Sequence, residues 1–579
     1  MMQTRTRTVP FPKVPGLRCI RAFKPGTFRN GTVVGVLLLL LSCVPLAHAA
    51  VSLEDVLGRI PVQHGGRVKP FASFAKESVL VVTGKTGFEH QKPALLVWYW
   101  IAQPEVWNAK PILSVAHPEL RKHFSSDLVQ NRVSPALVLS DLEFKKLVSA
   151  ARTKQEKKEK LTQLEQKQLE LYERARLFEE IANVRMPGFV PHPGDPKMTW
   201  LPLEVFRDPQ GRDIAAQLYP QDEVDQIASR FNFLIERLKG KTVDGAFLAA
   251  QGFSQSLAQL LLSRDMVFDE AAIDREMLYL KLRPFQLAGI LYLIGILIWL
   301  APKKKGKVGL LSFSIFAAGF VVHTFGFVLR ILIAGRPPVT NMYESIIWVA
   351  WACVFFSLVF WLFYRSTLLP AIAACVATFA LLVGESFPTF LDPTISPLVP
   401  VLRSNYWLTI HVLTITLGYG AFLFNWGIAH LLLYSLAFHR RKELTDRLTE
   451  YLYRSLQVGV ILLASGTILG GVWAAESWGR FWGWDPKETW ALIAVLAYLA
   501  VLHSRTAGWL DAFGVALWSA VSFLTVIMAW YGVNFVLGAG LHSYGFGGGG
   551  LPYVLAFVLT DIVIIMWFAR RLKMKPAHR

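Results

Sequence analysis

Four tryptophans, Trp478, Trp482, Trp484 and Trp490, fall within one short stretch, WGRFWGWDPKETW, directly ahead of a long apolar run. An indole is flat and apolar with one polar edge, so several together suit either a planar apolar ligand or the headgroup layer of a membrane. Gly479 and Gly483 take side chains out from between the rings, which lets such a ligand approach the backbone. The same half of the chain carries His323, His411, His503 and His542. Imidazole is a common metal ligand and also a common hydrogen-bonding group at a helix end, so metal ligation beside a flat apolar ligand is one chemistry these two residue types could support.

The elements that must position these groups are membrane helices. Asp485, Pro486 and Glu488 form a capping-box start, with Asp as N-cap, Pro at the first helical position and Glu at the third, so a helix begins here at the water boundary. After Pro284 the pattern is one of apolar runs, at about 285–301, 309–333, 345–363, 368–384, 406–437, 455–475, 488–503, 509–530 and 552–569, which makes nine candidate spans. One set of alternate loops (302–308, 364–367, 438–454, 504–508, 570–579) holds sixteen Lys and Arg; the other holds Arg336, Arg403, Arg480 and Lys487. The positive-inside rule puts the first set in the cytoplasm and the tryptophan stretch, segment 473–490, on the outer face.

Ahead of the spans, residues 1–49 have a cationic start, an apolar run from Val33 to Leu41 and an Ala-His-Ala ending, the layout of a signal peptide or N-terminal anchor. Residues 50–283 contain no apolar run of spanning length and read as an exported, mainly helical soluble domain. The fold class expected is therefore an α-helical polytopic membrane protein with an N-terminal extracytoplasmic domain, followed by a membrane domain over 284–579. Within the soluble part, His64-Gly-Gly-Arg67 and Lys69 read either as a cradle for an anionic group or as a plain hairpin turn. The formal net charge of +19 follows from loop orientation, which leaves nucleic-acid binding without support. Four cysteines with no C-x-x-C spacing exclude covalent haem and disulfide exchange on this chain itself.

Depth sorts the histidines. His411, at the outer start of the fifth span, and His542, in the glycine-rich loop 538–550, bracket the tryptophans and read either as hydrogen-bonded histidines at helix ends or as a pair of axial ligands on one side of a membrane. His503 lies thirteen residues beyond Trp490, about 20 Å along a helix at about 1.5 Å per residue, too far to touch the outer site, so it must serve something else. His323 sits midway through the second span, where a polar residue is costly; it reads equally as an inner ligand or as a hydrogen-bonded neighbour of another helix. Arg336 and Glu344, on the outer loop with Asn341 and Tyr343, either cap the third helix or hold the guanidinium toward a ligand carboxylate.

The stretch from Trp478 to Trp490, with Leu502-His503-Ser504-Arg505 beyond it, resembles the tryptophan-rich WWD signature of haem-handling membrane proteins. Its Pro-Lys-Glu-Thr-Trp ending and the segment Pro337–Ser345 are similar to the CcsA (ResC) branch, the membrane subunit of the System II cytochrome c synthetase. The likeness runs from about Phe285 to Arg571. It implies that His411 and His542 ligate haem iron at an outer site and His503 at an inner one, while Trp478, Trp482, Trp484 and Trp490 present the ring and Asp485 caps their helix. The expected activity is that of a holocytochrome c synthase: haem b is moved to the outer face of the inner (cytoplasmic) membrane and joined by thioether bonds to the C-x-x-C-H cysteines of an exported apocytochrome c. A ResB-type subunit and a thiol-reducing protein are the expected partners. The alternative is a haem transporter, or relay, serving a separate ligase.

Overall fold

The computed structural model describes residues 51–193, 199–240, 243–263, 269–302, 307–388, 391–398, 404–439, 441–538 and 550–573. The signal peptide or anchor expected over 1–49, and His542, lie outside the described residues.

Among the described residues nine helices are long and apolar enough to cross a membrane: Glu270–Leu300, Val308–Ala334, Met342–Tyr364, Leu368–Ser386, Asn405–Phe438, Lys442–Trp478, Pro486–Thr506, Ala512–Leu537 and Leu551–Leu572. They match the apolar runs of the sequence in number and order, and are called the first to ninth spans below. The protein is thus a multi-pass membrane protein.

Ahead of the first span no described helix meets that measure. The expected helices are there, among them Phe71–Thr83, Pro93–Ala102, Gln163–Ala182 and Gln221–Lys239. Two small antiparallel sheets join them: four strands in the order Arg67–Pro70, Pro61–His64, Gly188–Val190, Leu201–Pro202, and a pair, Leu113–Ser114 with Arg132–Val133. Their shared core is aromatic, with Phe71, Phe74, Trp98, Trp100, Phe178 and Phe189 fully buried.

Of the two readings of His64-Gly-Gly-Arg67, the hairpin holds. His64 pairs with Arg67 across Gly65 and Gly66, both at positive φ (62° and 80°), as a two-residue turn between right-twisted strands requires. Its cations already have carboxylate partners: Arg67 meets Glu276 and Lys69 meets Glu77.

The first span is two helices end to end. Glu270–Leu282 closes on Arg283, which takes a left-handed conformation (φ 45°), and Pro284 opens Pro284–Leu300. A proline lacks the N–H that a continuous helix would need, yet is well placed in a first turn. The boundary expected at 283/284 thus falls at the junction of these two helices. Farther on, the fifth and sixth spans touch backbone to backbone: a Cβ on Gly466 would stand 2.8 Å from Ile415 Cα, and one on Gly418 3.0 Å from Leu463 N. Small residues at such crossings let membrane helices pack where no hydrophobic force drives them together.

Candidate functional site

The tryptophan stretch is a helix end, a short linker and a helix start. The sixth span ends at Trp478, and Gly479 caps it in the left-handed region (φ 70°), its N–H donating to Ala475 O. Asp485 then starts the seventh span: its carboxylate accepts from Lys487 N (3.0 Å), while Glu488 accepts from Asp485 N (3.2 Å) and Gly483 N (2.8 Å). The capping box is formed as the Asp–Pro–Lys–Glu order predicts. Arg480 reaches back to Glu488 (3.2 Å), folding the linker over the start of the helix.

Beside this linker lies a cavity walled by the fifth to eighth spans and by the segment ahead of the third, enclosing about 1160 Å³ with its open side included. Its polar lining is sparse: His411, Thr416 and Tyr419 from the fifth span, Thr467 from the sixth, Lys487 and Glu488 from the seventh, Asn534 from the eighth, and Thr340, Asn341 and Ser345 opposite. Trp473, Trp482 and Trp530 supply aromatic wall. An apolar chamber with a few convergent polar groups is the usual form of a small-molecule site.

His411 sits in a π-helical turn, Leu408–Val412, at the head of the fifth span. Such wide turns often mark functional positions, because they redirect side chains relative to the helix. The ring lies 5.6 Å from Trp473, and its Nδ1 is 2.8 Å from Gly466 O. A carbonyl accepts only, so Nδ1 carries a proton, and in the neutral ring Nε2 is then the nitrogen with the lone pair, the tautomer that binds a metal.

The sequence-predicted residues separate. His411 and Trp482 share the cavity. Asp485, buried, stands behind it as the cap. Trp484 packs edge-on against Trp482 (5.9 Å) but is 70% exposed and lies outside the lining, with a φ of 57° that is unusual for a bulky residue. Trp478 lies beside Arg480 (5.9 Å), and Trp490 is partly buried one turn into the seventh span; neither lines the cavity. His503 is exposed in the last turn of that span, its Nδ1 2.8 Å from Leu499 O, at the far end of an unbroken helix. His323 is wholly buried, stacked on Phe327 (5.4 Å), with Tyr292 OH 3.3 Å from Nδ1 and no hydrogen-bond partner at Nε2 among the described residues, an enclosure that accommodates both of its readings. Among the described residues no three His, Cys, Asp or Glu side chains gather as a metal-binding group.

Arg336 and Glu344 do not reach the cavity. Glu344, 1% exposed, accepts from Arg330 (2.7 Å), Arg336 (3.2 Å), Thr340 N (2.9 Å) and Thr340 Oγ1 (2.8 Å). Arg336 also donates to Ser396 O (2.7 Å). The expectation that they hold a ligand carboxylate gives way to a buried ion-pair knot. Asn341, not Glu344, caps the third helix, accepting from Glu344 N at 2.8 Å. The knot fixes the turn that carries Thr340, Asn341 and Ser345 into the cavity wall. Arg330 was legible as a lone cation inside an apolar run, the kind of residue that marks a polar contact within a membrane. The same signal marks Asp561 in the ninth span, which is 3% exposed and meets His430 Nε2 (3.0 Å) and Trp426 Nε1 (3.1 Å).

Residues 339–542, which include His411 and the whole tryptophan stretch, match a family described as Cytochrome C assembly protein. The chain is 29% identical over 521 residues to Protein NrfI of Wolinella succinogenes, across 83% of this chain and 53% of that protein. It is 38% identical over 252 residues to the cytochrome c biogenesis protein CcsA of Synechococcus sp. (strain RCC307), across 37% of this chain and 78% of that protein. With CcsA of Synechococcus sp. (strain CC9311) the identity is 35% over 305 residues, across 45% of this chain and 96% of that protein. The chain thus spans about half the length of NrfI.

Proposed function

Because the chain belongs to the CcsA family of cytochrome c biogenesis proteins, we propose that it binds haem b in the His411 cavity and joins it to the C-x-x-C-H cysteines of an exported apocytochrome c. Haem is the substrate. Each cysteine S–H adds across one vinyl group: a C–S bond forms, the thiol hydrogen goes to the neighbouring vinyl carbon, and no electrons are gained or lost overall.

The observation that carries this reading is the Nδ1–Gly466 bond, which fixes the His411 ring through one nitrogen in an aromatic-walled cavity. One axial bond and flat apolar walls suit a macrocycle whose faces are apolar and whose centre is a metal. The protein's contribution is to position. Holding a vinyl carbon and a thiol at reacting distance is worth up to about 7–11 kcal/mol in favourable cases. His542 is the proposed second ligand and His503 the proposed ligand of an inner site. The thiols must be reduced, which calls for a thiol-reducing protein on the same face, and a ResB-type subunit is the proposed membrane partner. The loop charges support an extracytoplasmic cavity in the inner membrane.

The test is reconstitution of the purified full-length protein with ferrous haem and a C-x-x-C-H peptide, followed by denaturing electrophoresis and the pyridine haemochrome spectrum. Covalent haem-peptide, lost in His411→Gly and restored by added imidazole, is the expected result. Haem that is bound but never attached would overturn the synthase reading in favour of the relay. A His411→Gly protein with unchanged haem absorbance would overturn the site.

A further inference from the structure

We infer that Lys487 is the anion contact of the cavity, taking a carboxylate of the bound macrocycle. This rests on the haem reading and names the side chain that fixes the ring's orientation.

Lys487 is the second residue of the seventh span, and its side chain lines the cavity. The place is costly for a cation. The first turn of a helix carries a partial positive charge, and the surroundings are partly buried and apolar. Such a charge ordinarily comes with a carboxylate beside it. Among the described residues Lys487 has none within ion-pair distance, and its Nζ makes one long hydrogen bond, 3.3 Å to Asn534 Oδ1. Of the two nearby acids, Asp485 acts on the ammonium through space without standing at ion-pair distance, and Glu488 is taken up by other donors. Glu488 receives Gly483 N, Asp485 N and Arg480, and Asp485 receives the backbone N–H of Lys487 itself. The other cations of this region each have a carboxylate within ion-pair distance, Arg480 that of Glu488, and Arg330 and Arg336 sharing that of Glu344. Lys487 is the ammonium left facing the chamber that His411 also faces.

Imidazole and ammonium on one apolar chamber describe a ligand that is at once metal-centred and anionic. Haem meets both conditions through its iron and its propionates. A single iron–imidazole bond leaves the ring free to spin about that axis. A second contact, from ammonium to propionate, removes that freedom and so fixes where the vinyl groups stand. Two thiols of fixed spacing then need only one arrangement of the peptide.

Full-length protein in detergent is titrated with haem and, separately, with haem dimethyl ester, which has the same iron and ring but no propionate charge; the Soret difference spectrum is the readout. Lys487→Gln is expected to bind haem about tenfold more weakly than the natural protein, as for loss of one charge-assisted bond, and to bind the diester equally well. Lys487→Arg, which keeps the charge, is expected to restore haem binding. Equal losses for both ligands, or none for either, overturn the role of Lys487 while leaving His411-dependent binding in place. If neither ligand gives His411-dependent absorbance in the natural protein, the haem reading falls and the role of Lys487 with it.

Discussion

The imidazole of His411 lies flat against the backbone of Gly470, so close that a Cβ there would stand 2.7 Å from Cε1, 3.2 Å from Nδ1 and 3.3 Å from Nε2. With Nδ1 tied to Gly466 O one turn earlier on the same helix, the ring is held by two positions of the sixth span. Gly470→Ala must therefore turn the ring or break its bond. Alanine is the better helix former by about 1 kcal/mol, which offsets part of the cost of displacing the ring, and the displaced ring is the one that would ligate. Haem retention, read as Soret absorbance per protein, should fall toward that of His411→Gly. Gly309→Ala, with nothing within 4 Å of the added methyl, is the control expected to change nothing. Unaltered retention in Gly470→Ala would mean that this ring does not hold the iron.

How much of this was legible in the sequence depends on whether a feature is local. The cap at Asp485 rests on residues one to three positions away, and the spans on runs of apolar residues, so both read directly. The cavity wall does not. Trp473 and Trp530 sit in ordinary apolar spans where a tryptophan is unremarked, and they meet His411 and Ser345 only through helix packing. The pairing of Arg330 with Glu344 spans fourteen residues and a turn, so Arg336, nearer in sequence, looked like the available cation. Arg67 finds its carboxylate 209 positions away, which no local pattern reports.

His64 gives a pH dependence outside the spans. Burial, and then the charge of Lys69 on the paired strand, hold its pKa down at about 4, against 6.5 for the free group. Its Nδ1 has no hydrogen-bond partner among the described residues, its ring packs edge-on to Phe74 (5.0 Å), and Glu77 and Asp392 face the same pocket. Between pH 6.5 and 4 the unfolded chain takes a proton at this residue that the folded chain refuses, so stability is full above 6.5 and falls as the pH drops. The expected loss is roughly 1–2 kcal/mol once screening of a partly exposed group is allowed for. Hydrogen exchange in residues 61–70 should quicken across that window. In His64→Phe, which keeps the ring packing, the window should flatten, and an acid response equal to that of the natural protein would show that another group carries it.

Arg67 and Glu276 join the hairpin to the first span by two parallel bonds of 2.7 Å, and Arg67 Nε donates to Ile395 O, also at 2.7 Å. The stretch 391–398 is gripped from the other side by Arg330 (Pro393 O, 3.0 Å), Arg336 (Ser396 O, 2.7 Å) and Asn341 (Asp392 O, 3.2 Å). Three guanidinium groups from both halves of the chain thus hold one short connection next to the cavity wall. The Glu276 side chain is 5% exposed, so removing its partner leaves a buried carboxylate with Ser73 as its remaining hydrogen-bond donor. Breaking such a pair costs about 3–5 kcal/mol. In Arg67→Ala, hydrogen exchange should rise first in 391–398 and 61–70, while 339–345, still tied by Glu344, follows less. Arg67→Lys should behave more like Arg67→Ala than like the natural protein. An ammonium is a point charge and cannot reproduce a planar fork that serves both carboxylate oxygens and a carbonyl together. If Arg67→Lys protects 391–398 as well as arginine does, charge alone joins the two halves and the fork is incidental.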